Sequence, residues 1–529
     1  MRTSRGVVLR AALLSRVLVL IVSAAASNYA EPYDCSSTVS VSSPAMPRGA
    51  AQETRGQADR AVHFLLSGLA RWDAVYFLRL AHTSTYEFEQ FHAFFPFFPA
   101  CIRGAATCLR FTLAAFGAGS ALSSESLILI AGAAITHLAF VAAAVVLYEL
   151  SAKVLNDERL SLHASVLFCF SPASIFFSAI YTESPFALAS FVSMLCFLRA
   201  DGTGAPSTSS SYLSALQSGA WFLAGIVGAT VATAIRSNGI VLAAFGLHVV
   251  IRHAWIECRC RSACSVPASS RAPYSRALTC VRVTVLMRAV TAALLCLIVA
   301  LPFIRFQLYA HDLYCIAKNS GQTMSRERRP WCVEDGMSNL YAFVQREYWN
   351  QGPFRYWTLK QIPNFLLAAP VLLLSAAMAF HYKSARTGDM NIEPLEHITM
   401  LERLVGFDAD TKMVATSEPA QCDGDDDDDD ANQKTRRFPA LTKSSVFESR
   451  KTAAFVWHCA ALSVLMLICF HVQVATRFLF AASPALYWYV ADLVERHGEN
   501  SWAAHIVLGY FCVYFILGAT LFSTFYPWT

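Results

Sequence analysis

The stretch Arg71-Trp72-Asp73-Ala74-Val75-Tyr76-Phe77 sets a short carboxylate between a cation, an indole and further aromatic rings, just beyond the first apolar segment of the chain. An aspartate held so closely can be fixed against a hydroxyl and take its proton as a general base. The same residues also fit an interfacial ion pair beneath an aromatic-belt tryptophan. Both readings of Asp73 stand on the residues alone.

Two arginines lie in or beside apolar sequence, Arg236 in Arg236-Ser237-Asn238-Gly239 and Arg477 in Gln473-Val474-Ala475-Thr476-Arg477. A guanidinium near hydrocarbon is costly unless an acid or a phosphate faces it, and its fork of N–H donors matches phosphate oxygens. Anion binding and pairing with a buried Asp or Glu both satisfy that demand. Further polar groups fall in Glu87, Glu89 and His92 before Phe94-Phe95-Pro96-Phe97-Phe98-Pro99, in Ser171-Pro172 through Tyr181-Thr182-Glu183, and in a loop holding Gln345, Arg346, Glu347, Arg355, Lys360 and Gln361. Together they describe a membrane enzyme handling a phosphate-bearing lipid, and equally a lipid transporter with a charged cavity.

The elements that must position these groups are set by composition. Hydrophobic residues make up 55% of 529, with a mean hydropathy of +0.42, too apolar for a soluble enzyme. The reading is an all-α polytopic membrane protein. A formal charge of +5 spread unevenly gives no case for nucleic acid. Sixteen Cys without paired CxxC or Cys/His spacing argue against a metal site. The luminal Cys315 and Cys332 could pair in an oxidising compartment or remain free thiols.

About eleven spans of roughly 20 apolar residues are expected. They are Val7 to Ala26, Phe94 to Ala118, Ser126 to Leu150, Leu162 to Ile180, Pro185 to Leu198, Gly219 to Ile251, Val283 to Leu308, Ile362 to Phe380, Ala453 to Phe470, Phe478 to Val494 and Ala503 to Phe525. Gly219 to Ile251 crosses once or twice, which leaves the sides of Asp157 and Glu183 open. Arg2, Arg5 and Arg10 argue for a cytoplasmic N-terminus, while small residues near Ala24 to Ser27 also permit signal-peptide cleavage.

The organisation expected is an N-terminal anchor or signal-like segment over 1–27, a first luminal loop with Asp73 over 28–93, and membrane helices over 94–308 with a basic cytoplasmic loop at 252–282. A second luminal loop over 309–361 and a membrane helix over 362–380 follow. A cytoplasmic acidic loop over 381–452, expected to be disordered, precedes the last membrane helices at 453–529. The run Asp425 to Asp430 in that loop reads as solvated charge rather than a metal site.

Several of these motifs recur in an order that resembles the GPI mannosyltransferase 2 family: Arg71-Trp72-Asp73, Phe94-Phe95-Pro96, Ser171-Pro172-Ala173, Tyr181-Thr182-Glu183-Ser184, Arg236-Ser237-Asn238-Gly239, Pro330-Trp331-Cys332, Tyr348-Trp349-Asn350, Lys360-Gln361-Ile362-Pro363-Asn364-Phe365 and Gln473 to Phe478. The resemblance runs from about Arg71 to near the C-terminus. Extra length at Ser207 to Ser211, Cys258 to Cys280 and around Asp425 falls in connections, where it is tolerated.

The resemblance implies a GT-C-type multi-helix bundle with luminal loops, in the membrane of the endoplasmic reticulum. It implies an inverting transfer of the second mannose, α1,6-linked, from dolichol-phosphate-mannose to a GPI lipid acceptor, with no cofactor and no metal, and it leaves room for an accessory membrane subunit. On it, Asp73 is the base, Arg236 and Arg477 hold the donor phosphate, and Arg355 and Lys360 bind the acceptor. Another dolichol-linked-sugar transferase, a lipid-linked-sugar transporter and a noncatalytic assembly subunit are the rival readings.

Overall fold

A computed structural model describes residues 2–33, 56–202, 212–264, 272–316, 330–332, 339–387 and 446–528. The acidic run Asp425 to Asp430, the insertion Ser207 to Ser211 and the side chains of most of the basic loop after Ile251 lie outside the described residues.

Sixteen α-helices make up the described chain. In order they are α1 Arg2–Tyr29, α2 Gln57–Leu66, α3 Ala74–Thr83, α4 Phe97–Ala115, α5 Ser124–Leu155, α6 Glu158–Cys169, α7 Glu183–Gly202, α8 Tyr212–Ile235, α9 Ala243–Cys264, α10 Ala272–His311, α11 Leu340–Glu347, α12 Ile362–Thr387, α13 Ala453–Cys469, α14 Ala475–Ala482, α15 Pro484–His497 and α16 Trp502–Ser523. Among the described residues nine helical segments are long and apolar enough to cross a bilayer, so the chain is a multi-pass membrane protein.

The difference from about eleven expected spans has local causes. Leu162 to Ile180 does not form one helix: α6 stops at Cys169, and turns carry the chain from Ser171 to Thr182. Phe478 to Val494 breaks at Ser483, where Pro484 cannot continue α14 and instead opens α15. Phe97–Ala115 is helical, yet Arg103 and Arg110 dilute its apolar content. Gly219 to Ile251 becomes two membrane-length segments, Leu213–Ile235 and Ser237–Glu257, on either side of Arg236.

Capping chemistry fixes the helix ends that matter. The Ser123 hydroxyl accepts the Ser126 N–H to start α5, left-handed Asn156 ends it, and the Asp157 carboxylate then accepts the Leu160 N–H to start α6. The core is contiguous, with α7 packed on α5, α8, α9 and α14. The α7–α8 seam is close because a Cβ on Gly228 would sit 3.0 Å from the Ser193 backbone.

One buried cation was not foreseen. Arg16, 3% exposed in the middle of α1, donates to the Ser174 carbonyl at 2.9 Å and to the Ser178 hydroxyl at 2.7 Å, and its guanidinium lies 3.8 Å above the Phe140 ring. It thus supplies donors to the turns between Cys169 and Thr182, whose carbonyls would otherwise be orphaned at membrane depth.

Ion pairs mark two ends of the bundle. Arg5 and Arg199 meet Glu149, Ser4 meets Glu158, and Arg252 meets Asp201 at one end. Asp73, Glu183, Arg236 and Arg477 meet at the other. Asp157 therefore lies with the N-terminus and Glu183 with Asp73.

Candidate active site

Asp73 occupies the residue before α3, yet its side chain caps no N–H of that helix. Trp72 ahead of it is in the left-handed region at φ 56°, which costs a bulky residue about 1–2 kcal/mol. The turn is held from outside: the Arg71 guanidinium lies 4.5 Å above the Phe525 ring, and Trp72 packs on Phe525 at 6.0 Å between ring centres. The Asp73 N–H donates to the Tyr181 hydroxyl at 2.9 Å, and the Ile180 N–H donates to the Leu69 carbonyl at 3.0 Å. The irregular segment between α6 and α7 therefore grips both flanks of the Asp73 turn.

Its carboxylate meets Arg477, the third residue of α14. Nη1 and Nη2 both donate to Asp73 Oδ2 at 3.2 Å, and Oδ1 has no partner among the described residues. Phe176 and Tyr181 place their rings 5.2 and 5.5 Å from that guanidinium, enclosing it. The Asp73 side chain keeps 34% of its surface exposed, against 16% for Arg477, so the free oxygen belongs to the accessible partner.

Glu183, at the start of α7 and 1% exposed, completes the cluster. Its Oε1 accepts from Arg236 Nη1 at 2.6 Å and lies 3.8 Å from Arg477 Nη1. Arg236 sits in the break between α8 and the following 3-10 turn Ser237–Leu242, with the Phe186 and Phe478 rings each 5.7 Å away. Gly239 makes that break feasible, because any Cβ there would collide with the backbone of Ala232 and Thr233.

The second polar loop roofs this end. Cys315 pairs with Cys332 in a disulfide. Next to it, the Trp331 indole N–H and the Tyr348 hydroxyl both donate to the Glu89 carboxylate, and Tyr341 shares a 2.8 Å hydrogen bond with Ser237 beside Arg236. His92 stacks on Phe306 at 5.5 Å, and burial pushes its imidazole down to about 4, so it is neutral.

Of the residues singled out in the sequence, the fold brings Asp73, Arg236 and Arg477 together. Arg355 and Lys360 are exposed and touch none of the three among the described residues. Lys360 adjoins a polar chain that leads back toward Arg477: Asn364 donates to Gln361 and to the Tyr356 hydroxyl, which donates to Gln473 at 2.9 Å. Glu183 is the site residue to which sequence gave no role. The signal was its place in the Tyr181-Thr182-Glu183 cluster, but its side of the membrane depended on whether Gly219 to Ile251 crosses once or twice.

The family model described as Mannosyltransferase (PIG-V) matches residues 5–529. GPI mannosyltransferase 2 of Drosophila pseudoobscura pseudoobscura is 30% identical over 99% of this chain and 99% of its own length. GPI alpha-1,6-mannosyltransferase 2 of Mus musculus is 30% identical, and that of Homo sapiens 29%, each over 90% of both chains. A solved archaeal oligosaccharyltransferase, AglB from Archaeoglobus fulgidus in complex with an inhibitory peptide and a dolichol-phosphate, is similar at a TM-score of 0.41 and 14% identity, covering 96% of this chain and 56% of that chain.

Proposed function

The chain belongs to the PIG-V mannosyltransferase family and is a GPI-anchor mannosyltransferase using a lipid-linked sugar donor and a GPI acceptor, and we propose that the donor is dolichol-phosphate-mannose and the product carries the second mannose in α1,6 linkage. One observation carries the assignment of chemistry: Arg477 holds one oxygen of Asp73 and leaves the other without a partner among the described residues, on a side chain that keeps 34% of its surface exposed. A carboxylate so held is oriented for proton abstraction without a lengthy search of rotamers.

In the proposed reaction the acceptor hydroxyl oxygen attacks the anomeric carbon of the mannosyl phosphate from the face opposite the phosphate. The new glycosidic C–O bond forms as the C–O bond to phosphate breaks, the phosphate leaves with the bonding pair, and Asp73 Oδ1 receives the hydroxyl proton. The anomeric configuration inverts, as in GT-C enzymes. Arg236 engages Glu183 through Nη1 and has further N–H donors for the departing phosphate, where charge builds up. Arg477 adds its charge to the same cluster while its fork holds Asp73.

Arg355 and Lys360 are proposed to meet the phosphorylated head group of the acceptor, which their exposure and the polar chain through Gln473 support. We place this end of the bundle in the lumen of the endoplasmic reticulum. A disulfide at the same end and the N-terminal arginines at the other support that orientation.

The reading is tested with membranes containing the protein, labelled dolichol-phosphate-mannose and a mannosyl-glucosaminyl-phosphatidylinositol acceptor. Extension of the acceptor by one α1,6-linked mannose is expected. Donor movement across the membrane with no extension overturns it.

A further inference from the structure

Arg236, Glu183, Arg477 and Asp73 form a row of alternating charge, cation, anion, cation, anion, whose formal sum is zero. Its second member is the most deeply buried. Glu183 is 1% exposed, and its Oε2 is buried with no hydrogen-bond partner among the described residues. A buried ion pair seldom adds stability over apolar residues of the same volume, so stability alone gives no reason to bury a carboxylate with one oxygen unmatched.

The geometry around Arg477 supplies a reason. A guanidinium facing a single carboxylate favours the two-on-two fork, with one N–H on each oxygen. Here both Nη groups converge on Asp73 Oδ2, and Nη1, the nearer to Glu183, lies between the two acids at 3.2 and 3.8 Å. Attraction toward Glu183 turns the fork off the Asp73 axis and leaves Oδ1 open. The same carboxylate fixes Arg236 by the 2.6 Å bond, so one side chain sets the position of both arginines.

We propose that Glu183 is a positioning residue for transfer: it anchors Arg236 and Arg477 together and thereby keeps the second oxygen of Asp73 free for the acceptor hydroxyl. This rests on the reading of Asp73 as the base. Glu183 touches neither substrate; it acts through the arginines. Its removal as a charge has two consequences of different kind. Without it Arg477 closes on both oxygens of Asp73, which slows the proton transfer. The cluster also gains one net positive charge, which favours an anionic phosphate donor.

The experiment compares wild type, Glu183→Gln and Asp73→Asn in detergent-solubilised or reconstituted protein, with kcat and donor KM measured separately and protein amount normalised. For Glu183→Gln a kcat loss of tenfold or more is expected with donor KM unchanged or lower. Wild-type kcat, or a rise in donor KM that matches or exceeds the fall in kcat, overturns the proposal.

Should Glu183→Gln fail to accumulate, the neutral pair Arg236→Gln with Glu183→Gln avoids an orphaned buried charge. Its kcat at saturating donor is expected at least tenfold below that of Arg236→Gln alone, in which Glu183 still faces Arg477, and a kcat equal to that single variant overturns the proposal. Asp73→Asn separates the two levels. If it is active, the base assignment itself fails; if it is inactive while Glu183→Gln keeps full kcat, only the role of Glu183 is lost.

Discussion

Arg477 gives both terminal nitrogens to one oxygen of Asp73, two residues 404 positions apart in sequence. The first lies in the turn before α3 and the second on α14, so their meeting depends on the packing of α14 against α7 and on the Tyr181 contact to the Asp73 turn.

Arg477→Lys keeps the charge and loses the planar fork, so a single ammonium must hold Asp73 Oδ2 with one hydrogen bond in place of two. A kcat loss of about tenfold or more is expected, with protein level preserved because Glu183 retains a cationic neighbour. Arg477→Met removes that charge, leaving Asp73 without its cation while Glu183 keeps Arg236, so a lower melting temperature is also expected. The check is mannose transfer at saturating and limiting donor together with thermal unfolding in detergent. Wild-type kcat in both variants contradicts the role given to the fork.

Gly239→Ala tests the break that presents Arg236. Its new methyl would lie 2.6 Å from the Thr233 Cα and still closer to the neighbouring backbone atoms, which cannot swing aside as a side-chain end could. Overpacking of this kind costs about 1–3 kcal/mol. Lower yield and a reduced melting temperature are expected, while Gly104→Ala, at an open position inside α4 where Ala is the better helix former, should lower neither.

Cys332→Ser, or Cys315→Ser, opens the link that holds Trp331 beside Glu89. Closing a loop of this length contributes on the order of 3 kcal/mol. Faster proteolysis within 309–361 is expected, with a partial loss of transfer because the roof is loosened and the charge row left whole. Alkylation with a mass-shifting maleimide before and after reduction checks the pairing: neither cysteine should react in unreduced wild type.

Much of this was legible in the sequence because bilayer chemistry is restrictive. Runs of about 20 apolar residues read directly as spans, and the few charges near them, Asp73, Arg236 and Arg477, converge at one end of the bundle. Legibility failed where an apolar run hid a break. Ser171 to Thr182 is as apolar as a helix and yet is built of turns, held by its own short-range backbone bonds and by distant Arg16, which donates to the Ser174 carbonyl and the Ser178 hydroxyl, contacts that no local pattern announces.

Arg236 and Arg477 presented anion binding and acid pairing as alternatives. The fold puts an acid on each, and the proposed phosphate contact would draw on the further N–H donors of Arg236. Glu183 could not be placed from sequence because its partners come from the break after α8 and from α14, and pairing across elements depends on packing that residue spacing does not encode.

In the proposed reaction Asp73 takes the proton of the acceptor hydroxyl. Asp73→Asn preserves size and retains an oxygen for Arg477, removing only the basic carboxylate. Purified Asp73→Asn protein, matched to wild type in amount and melting behaviour, should lose transfer by roughly 100-fold or more when assayed with labelled dolichol-phosphate-mannose and the GPI intermediate. Turnover within a few-fold of wild type would rule Asp73 out as the base.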